Sequence, residues 1–466
     1  MEIGQYPSKM KIAKVIALYK KGEHFRANNY RPISLLSCFN KIFEKILCRR
    51  ITKFLEINNV IFDYQYGFRK LHSTTLALLE FSDNITRFLD EGKYAISIFI
   101  DLTKAFDTVD HEILLYKLNR YGIRGHANNF FRSYLADRKQ FTVVNNGCSK
   151  LHGIGCGVPQ GSVLGPLLFT VYINDMYQAV GRDHIRLFAD DTAIFLSDRN
   201  LLSLLNFAKS KFNEIYMWCM KNKLTINAEK TEFVVFHAKN KPMPAKLDIL
   251  DTGTMSIKRV KSFKYLGVII DEKLNWNDYV DYVCKSLVKY FGIFNQIKHT
   301  VTKRLSRQIY FAFIYSKIQY GIELYGSSSQ SNMSKLQILQ NKLLKLLLKM
   351  DRDTPTYVLH AQMKILKVTD VATCKVLTFV NDILCGNCPK SFENYFQIKV
   401  TRYSTRQTAQ LQVPRCRIPL ADRAVRVKGA SLWNKMHKNV KEFRYKKCLK
   451  KRLIDHYILT YTTAVS

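Results

Sequence analysis

The sequence is poor in several features that would place the protein in other classes. No apolar run approaches the length needed to cross a bilayer, and no long apolar core with a cleavage site follows the N-terminus, so neither a membrane protein nor a secreted one is expected. The 11 cysteines, an odd number scattered through hydrophobic segments, are typical of buried thiols in a reducing compartment. We therefore predict residence in the nucleus, the cytoplasm or both.

Acidic residues are also scarce relative to basic ones. The chain has 37 Asp and Glu against 73 Lys and Arg, a net charge of +36. Such self-repulsion adds nothing to fold stability, so a polyanionic partner is expected. Nucleic acid and anionic membrane are the two candidates. Because the basic residues are spread along the whole chain rather than along one amphipathic stripe, the pattern favours a long nucleic-acid track.

The length and hydrophobic content predict a folded protein of more than one unit. The chain has 466 residues, of which 47% are hydrophobic, so it can bury a sizeable core. A chain of this length is too long for a single compact core. Two or three structural units are therefore expected.

Two segments of the sequence place carboxylates at the ends of predicted strands. Ala95 to Ile100 is short, apolar and rich in isoleucine, which predicts a strand buried on both faces that ends at Asp101. Ile185 to Phe188 and Thr192 to Leu196 predict a second pair of strands. Ala189, Asp190 and Asp191 lie between them, so we predict a hairpin with two acids at its tip.

The remaining elements are predicted from periodicity and from capping residues. A helix is predicted from Ser73, with Gly92 ending it, and another with Asp110 as its cap and Gly122 as its stop. Further predicted helices are Phe39 to Leu55, Ser162 to Asn174, one that carries Leu204 to Cys219, and Leu336 to Met350. Further predicted strands are Ala13 to Leu18, Gln140 to Val144 with a tight turn at Asn145 to Gly147, Lys223 to Ile226, Phe233 to Phe236, and Phe263 to Ile270.

The three aspartates define the predicted chemistry. Carboxylates are rarely placed at the end of an apolar strand unless a cation meets them. If the two strand ends lie side by side in one sheet, Asp101 and Asp190 come within reach of shared divalent ions. An isolated Ala-Asp-Asp, however, is more often a plain turn, so the tripeptide gains weight only from its surroundings.

Those surroundings resemble the ordered motifs of reverse transcriptases, in particular those of LINE-type (non-LTR), jockey-like retrotransposons. Motifs A, B and C correspond to AISIFIDLTKAFDTVDHEIL (95–114), GVPQGSVLGPLLFTVYINDM (157–176) and RLFADDTAIF (186–195). Flanking blocks are NNYRPISLLSCFNKIFEKIL (28–47), QYGFRKLHSTTLAL (65–78), NKLTINAEKTEFVVF (222–236) and FKYLGVIID (263–271). The resemblance covers roughly the first 350 residues.

The resemblance implies a two-metal active site. Asp101, Asp190, Asp191 and the backbone carbonyl of Leu102 would hold two Mg²⁺ or Mn²⁺ ions, with Asp191 ligating less directly. Lys230 would protonate the departing pyrophosphate. These four side chains and one carbonyl are the predicted catalytic group.

The resemblance also implies sites for the nucleotide and the primer. Arg31 would meet the triphosphate, with help from Lys20 or Lys21 left open, and Phe106 would exclude a 2′-hydroxyl, although an ordinary core position is the alternative for this ring. Gln160 and Gly161 would approach the incoming nucleotide. The predicted primer grip consists of Tyr265, Leu266 and Gly267.

The implied architecture is an α+β right hand. Residues 1–250 are expected to form fingers and a palm with an antiparallel sheet, 251–350 the primer grip and a helical thumb, and 351–466 a basic C-terminal region that includes Arg402 and Arg406. Because the chain opens at GQYPSKMKIAKVIALYKKG (4–22), inside the first finger motif, an N-terminally truncated copy is expected.

The implied activity is that of an RNA-directed DNA polymerase, with an RNA template, a DNA primer and dNTPs as partners and no membrane. The alternative is a catalytically inactive nucleic-acid-binding remnant of such an element. Damaged motifs would favour the remnant, and motifs A to E contain none. The oligomeric state and the role of the C-terminal region stay open.

Overall fold

A computed structural model of the chain describes residues 4–144, 147–238, 240–244, 247–351, 353–399, 410–437 and 446–463. Two sequence predictions lie partly outside these ranges. Asn145 and Asn146 of the predicted turn, and Arg402 and Arg406 of the C-terminal region, lie outside the described residues.

The strands form three sheets. In chain order they are β1 (Ile12–Tyr19), β2 (Tyr30–Leu35), β3 (Tyr94–Ile100), β4 (Arg138–Val144), β5 (Gly147–Cys148), β6 (His152–Ile154), β7 (Ile185–Phe188), β8 (Asp191–Asp198), β9 (Glu232–Phe236), β10 (Ile249–Asp251), β11 (Ser256–Arg259), β12 (Ser262–Tyr265) and β13 (Val268–Asp271).

Helices lie around the sheets and make up nearly all of the regular structure after Trp276. They are α1 (Cys38–Ile57), α2 (Thr74–Asp90), α3 (His111–Arg120), α4 (His126–Leu135), α5 (Gly165–Tyr172), α6 (Tyr177–Val180), α7 (Leu201–Lys221), α8 (Asn277–Val288), α9 (Tyr290–Ile297), α10 (Lys303–Ile309), α11 (Ser316–Ile318), α12 (Ile322–Tyr325), α13 (Gln330–Leu348), α14 (Thr356–Met363), α15 (Val368–Leu384), α16 (Pro419–Asp422), α17 (Val425–Lys435) and α18 (Lys446–Thr463).

Local capping explains where several of these helices begin. The Ser73 hydroxyl accepts the Leu76 amide at the start of α2, and the Asp110 carboxylate accepts the Ile113 amide at the start of α3. Each side chain satisfies one of the amide donors that a helix N-terminus leaves unpaired. The predicted cap at Asp110 and the predicted helix start at Ser73 are therefore confirmed.

The first sheet belongs to the N-terminal part of the chain, with strand order β2-β1-β4-β5 and β6 paired with β4. β1 and β2 are antiparallel, with Ile16 opposite Ile33, whereas β1 and β4 are parallel, with Lys14 opposite Phe141. This sheet carries Arg31, which lies on β2.

The central sheet has the order β10-β11-β9-β3-β8-β7. Its four strands β9, β3, β8 and β7 are antiparallel, and β11 joins β9 in parallel. Every residue of β3 is buried, which confirms the prediction of a strand covered on both faces.

The alternation of side chains along β3 divides the interior into two cores. Ile96, Ile98 and Ile100 belong to a cluster with α1, α3, α5 and α7, whereas Ala95 and Phe99 belong to a cluster with α2 and the C-terminal helices. Successive residues of a strand point to opposite faces, so one buried strand contributes to both. A hydrophobic core therefore covers each face of the central sheet.

The helices after Trp276 pack on the second face of the sheet, and the C-terminal segment returns to α2. The carboxylate of Asp90 accepts the amides of Arg417 and Ile418 at 2.7 and 2.9 Å. The Lys390 ammonium donates to the Asn59 side chain at 2.9 Å.

Searched over the described residues, the chain contains no helix with the length and apolarity that a membrane span requires.

Three predicted elements differ from the structure. The helix predicted from Ser162 begins only at Gly165, because the preceding residues form the loop at the cleft. Lys223 to Ile226 is not a strand; only Ile226 forms a bridge, with Leu102. Phe263 to Ile270 is not one strand but the hairpin β12–β13, which turns at Leu266 and Gly267 with φ of 46° and 85°.

Candidate active site

The registers of the central sheet bring the three predicted aspartates together. Ile100, the last residue of β3, lies opposite Thr192 of β8, so Asp101 follows beside the start of β8. β7 and β8 pair up to Phe188 and Asp191, which leaves Ala189 and Asp190 as the turn. The predicted hairpin with acids at its tip is confirmed.

The charges of this cluster are close enough to perturb one another. Desolvation by the surrounding protein, followed by the negative charges of Asp190 and Asp101, raises the pKa of Asp191 to about 6. Desolvation also raises the pKa of Asp190, with Asp101 adding to the effect and Arg31 opposing it. Both side chains still reach solvent, so the desolvation is that of an open cleft rather than of a closed core.

Lys230 lies in the same cluster. Its ammonium is 3.0 Å from an Asp101 carboxylate oxygen, and both side chains remain partly exposed, at 51% and 36%. The backbone around this contact is tied to the end of β3, since the Asn227 amide donates to the Asp101 carbonyl at 2.8 Å. An ion pair this exposed contributes little to stability, so Lys230 is free to exchange partners.

A cavity of about 540 Å³ opens beside the aspartates. Its lining contains all four predicted nucleotide-binding residues together with four of the five predicted catalytic positions: Arg31, Phe106, Gln160, Gly161, Asp101, Leu102, Asp190 and Lys230. Lys20 lines it as well, whereas Lys21 does not. Segments far apart in sequence thus meet around one space.

Phe106 forms part of the wall of this cavity. The half-buried ring stacks on Phe169 with a centroid distance of 4.5 Å and an interplanar angle of 25°, and Phe68 meets it edge-on at 6.4 Å. The stacked contact on one face and the edge contact with Phe68 together restrict the orientation of the ring. The other face of the ring is available to a molecule in the cavity.

Gln160 and Gly161 are held by their neighbours. The Gln160 amide donates to the Asp107 carboxylate at 2.9 Å, and the Gln160 carbonyl accepts the Ser34 amide at 2.7 Å. Gly161 has φ of 112°, and a Cβ there would lie 2.8 Å from the Ser34 carbonyl oxygen. Glycine is therefore required where this loop touches the strand that carries Arg31.

A second cavity, of about 330 Å³, lies on the other side of Asp101 and is lined by Asp191, Lys264 and Tyr265. The Tyr265 side chain is 3% exposed, so this predicted primer-grip residue is mainly a core residue. The hairpin turn formed by Leu266 and Gly267 is held by the Tyr320 hydroxyl, which donates to the Leu266 carbonyl at 2.5 Å.

The donor set suits a hard divalent cation in part. Within the described residues, no three acidic, histidine or cysteine side chains form a group that would hold a metal ion alone. Mg²⁺, however, is usually bound through one or two carboxylates with water and substrate phosphates as further ligands. Asp101 and Asp190, beside a cavity that is also lined by Lys20 and Arg31, fit that mode, and the Lys230 ammonium at Asp101 shows that the cluster attracts cations.

Sequence reasoning missed Glu44, which supports the loop before α5. This carboxylate is fully buried; one oxygen accepts the Val163 amide at 2.6 Å, and the other accepts the Tyr134 hydroxyl at 2.7 Å. An acid at a buried position of an otherwise amphipathic helix was the available signal, because buried carboxylates need partners.

Comparison with known protein families matches residues 18–270 to the family described as reverse transcriptase (RNA-dependent DNA polymerase). This match spans more than half of the chain and includes motifs A, B and C and the flanking blocks, except the last residue of the block 263–271. The chain belongs to the reverse transcriptase family, and the predicted right-hand α+β fold class is confirmed.

Curated relatives place it near the predicted group. It is 29% identical over 371 residues to the probable RNA-directed DNA polymerase from transposon BS of Drosophila melanogaster. It is 27% identical over 356 residues to the RNA-directed DNA polymerase from mobile element jockey of the same species. These alignments cover 76% and 74% of the chain but only 39% and 38% of the relatives. The predicted jockey-like, non-LTR resemblance is thus confirmed, while the chain spans about two fifths of the relatives' length.

Among solved structures, the apo telomerase from Candida tropicalis, truncated from its C-terminal domain, is similar to the chain with a TM-score of 0.41 and 13% identity. That similarity covers 56% of this chain and 54% of the telomerase chain.

Proposed function

We propose that the chain is an RNA-directed DNA polymerase of a non-LTR retrotransposon, which extends a DNA primer with dNTPs along an RNA template. The observation that carries the proposal is the convergence of Asp101 with the Asp190–Asp191 turn beside a cavity lined by Arg31 and Phe106. Polymerisation by this family of folds requires acids for cations and a cationic site for the triphosphate in one cleft.

The chemistry supplied by two bound Mg²⁺ or Mn²⁺ ions is activation of the primer 3′-hydroxyl and neutralisation of the departing pyrophosphate. Asp101, Asp190 and the Leu102 carbonyl would hold these ions, and Asp191 would add negative charge beside them. The raised pKa of Asp191, caused by desolvation and by Asp190 and Asp101, supports this role, since the crowded negative charges are relieved by a cation.

The nucleotide occupies the cavity with its triphosphate toward Arg31. A guanidinium offers a planar fork of donors to phosphate oxygens, and this one is exposed on the cavity wall. The Phe106 ring, held by Phe169, lies beside the sugar and excludes a 2′-hydroxyl. Gln160 and Gly161 complete the wall on the opposite side.

Lys230 donates a proton to the leaving pyrophosphate. Its ammonium sits at the junction of the two cavities and pairs with Asp101 at 3.0 Å. General acid catalysis of this kind contributes about a hundredfold or more. Because this ion pair is partly exposed, the ammonium can turn from Asp101 toward the phosphates.

The helical region after Trp276 is the thumb, and its basic residues follow the duplex. On α13 the side chains of Leu336, Leu343, Leu344 and Leu347 are buried, whereas Lys335, Lys342 and Lys349 are exposed. Lysines on an exposed helix face supply contacts to phosphates that are independent of base sequence. We further propose that residues 251–350 act as primer grip and thumb, with 351–466 as an accessory basic region.

The test is primer extension by the purified chain on an RNA template with a DNA primer. Magnesium-dependent incorporation of dNTPs supports the proposal. Binding of the template–primer duplex without any extension, under Mg²⁺ and under Mn²⁺, would overturn it in favour of the inactive nucleic-acid-binding remnant.

A further inference from the structure

Residues Tyr64 to Gly67 lie along the open edge of the central sheet. The Tyr66 amide donates to the Leu187 carbonyl at 2.7 Å, and the Leu187 amide donates to the Tyr64 carbonyl at 3.1 Å. Gln65 and Leu187 thereby form a parallel bridge. Because β7 is the last strand of its sheet, this segment covers an edge that would otherwise leave its backbone unpaired.

The side chain of Gln65 reaches from this segment into the aspartate turn. It is 0% exposed, and its Oε1 accepts two amides, that of Gly67 at 2.8 Å and that of Ala189 at 3.2 Å. Ala189 is the residue immediately before Asp190. Its φ is +54°, a left-handed conformation that is unfavourable for a residue with a Cβ and needs support from its surroundings.

Gly67 seals the same contact. A Cβ at this position would lie 2.4 Å from the Ala189 nitrogen, so only glycine allows the segment to approach the turn. Ala189 itself is 4% exposed. The segment around Gly67 therefore packs closely against one side of the turn, and the cleft lies on the other side.

The two polar atoms of the Gln65 side chain differ in their partners. Its Nε2 is buried and has no hydrogen-bond partner among the described residues. An unpaired buried donor is unfavourable, but an apolar side chain here would leave two buried backbone amides without their acceptor. The assignment of Oε1 follows from its two N–H partners, which only an oxygen can accept.

We infer that Gln65 is a positioning residue that locks the Ala189 amide and so fixes the direction of the Asp190 carboxylate. The inference rests on the proposed polymerase function, because Asp190 matters only if it holds a cation. Without the Gln65 oxygen, the turn would relax from its left-handed conformation. A displacement of about 1 Å in a reacting geometry costs roughly a hundredfold in rate.

The test compares Gln65→Met, which keeps the length of the side chain but removes its acceptor, with Asn128→Leu. Asn128 is a matched control, since it is a buried amide on α4 whose Nδ2 donates to the Leu115 and Ile123 carbonyls, away from the aspartates. Single-turnover primer extension, hydrogen exchange of the Ala189 amide and thermal unfolding are measured for both variants and the parent.

We expect Gln65→Met to lower kcat about 10- to 100-fold with KM for dNTP within about threefold of the parent. The Ala189 amide should exchange at least about tenfold faster, while Asn128→Leu leaves both quantities near the parent values. Unchanged exchange and unchanged kcat in Gln65→Met would overturn the inference. So would equal losses in both variants, since these would indicate destabilisation only.

The two proposals fail separately. If the parent does not extend a primer, the proposed function fails, and exchange of the Ala189 amide still decides whether Gln65 locks the turn. If Gln65→Met does not fold, Gly67→Ala perturbs the same contact from the backbone side and is expected to give the same selective loss of kcat. Parent-like kcat and exchange in Gly67→Ala would then refute the inference.

Discussion

The aspartate turn of the palm and the His360 site of the C-terminal half both hold titratable side chains in poorly solvated surroundings. At the turn, the negative charges of Asp190 and Asp101 add to desolvation in raising the pKa of Asp191, and the one ammonium within ion-pair distance of the cluster among the described residues, that of Lys230, pairs with Asp101. His360 is fully buried on α14, and burial lowers its pKa to about 4. Its Nδ1 lies 3.0 Å from the Ile365 carbonyl, and its Nε2 lies 3.3 Å from the Gln337 amide.

The difference distinguishes the His360 site, whose contacts stabilise the fold, from the aspartate turn, whose charges suit a ligand. A neutral imidazole has one donor and one acceptor, and the protein satisfies both. The three aspartates lie beside a cavity, where the Lys230 ammonium pairs with Asp101 and the positive charges of Arg31 and Lys20 act on Asp190 without preventing the rise of its pKa. Perturbed groups of the second kind are typical of functional sites, where a bound partner completes the balance.

The largest effect is expected when one negative charge is removed from the aspartate turn. We expect Asp190→Asn to lower primer extension by at least about a thousandfold, since the variant keeps its shape but loses a cation ligand. Extension is measured under single-turnover conditions, and duplex binding by gel shift should stay intact. Asp183→Asn, an exposed acid just before β7, is the control. Parent-like extension by Asp190→Asn would show that the roles are wrongly assigned.

A smaller loss is expected for Lys230→Met. Removing the general acid should lower kcat about a hundredfold. The Mg²⁺ concentration needed for half-maximal rate should fall, because the ammonium no longer competes for Asp101. Lys223→Met is matched, since Lys223 forms an ion pair with Asp110 at 2.6 Å outside the cavity. A kcat equal to that of the control would contradict the proposed role.

The cavity wall is tested by Phe106→Val. A smaller side chain beside the sugar should raise incorporation of ribonucleotides relative to deoxynucleotides about 10- to 100-fold, because discrimination by steric exclusion is lost. Competitive incorporation of dNTP and rNTP measures the ratio. Phe169→Leu, which removes the stacking partner of Phe106 but not the wall, should give a weaker effect. An unchanged ratio in Phe106→Val would remove this residue from the nucleotide site.

At the His360 site we expect a substitution to change stability but not catalysis. We expect His360→Phe to lower the free energy of unfolding by about 1–3 kcal/mol, because the Ile365 carbonyl and the Gln337 amide lose a buried partner. Chemical denaturation measures the loss, and kcat of the remaining folded protein should stay near that of the parent. His299→Phe, at an exposed position, is the control and should change stability by less than about 0.5 kcal/mol.

The smallest effects concern pH, and their signs are opposite in the two regions. The pKa of His360 is lowered from 6.5 to about 4, so its contribution to stability is present above pH 6.5 and is lost as the pH falls toward 4. The pKa of Asp191 is raised from 3.8 to about 6, so its contribution is present below pH 3.8 and is lost as the pH rises through 6.

In metal-free protein, Asp191→Asn should therefore stabilise at pH 7 and not at pH 3.5, whereas His360→Gln should flatten the loss of stability between pH 6.5 and 4. Solvent screening of the exposed Asp191 keeps its effect small. Urea unfolding midpoints across this pH range measure both. Each variant's midpoint is compared with that of the parent at the same pH. Shifts of the same sign in both variants, at pH 7 and at pH 4, would contradict the comparison.

Local sequence signals predicted much of the palm. The buried strand before Asp101, the hairpin at Asp190, the helix start at Ser73 and the cap at Asp110 were predicted correctly, because each depends on periodicity or on a side chain bonding to nearby backbone. The hairpin at Leu266 was missed. Its turn has a non-glycine residue with positive φ, held by Tyr320 from a distant helical segment, which no local pattern reveals.

The site shows the same division. Asp101, Asp190 and Phe106 were found because their motifs are contiguous stretches of sequence. Glu44 and Gln65 were not, because their importance comes from amides more than a hundred residues away, those of Val163 and Ala189. Whether the predicted residues play the roles assigned to them stays a prediction for the experiments above.

The sequence by itself determined the order of the motifs, the excess of positive charge and the carboxylates at the strand ends, since these are properties of composition and local pattern. The tertiary structure alone decided which side chains accept the backbone amides of the aspartate turn and of the loop before α5, how strongly the aspartates are desolvated, and that Tyr265 is buried. These depend on long-range contacts and desolvation, which exist only once distant segments have packed together.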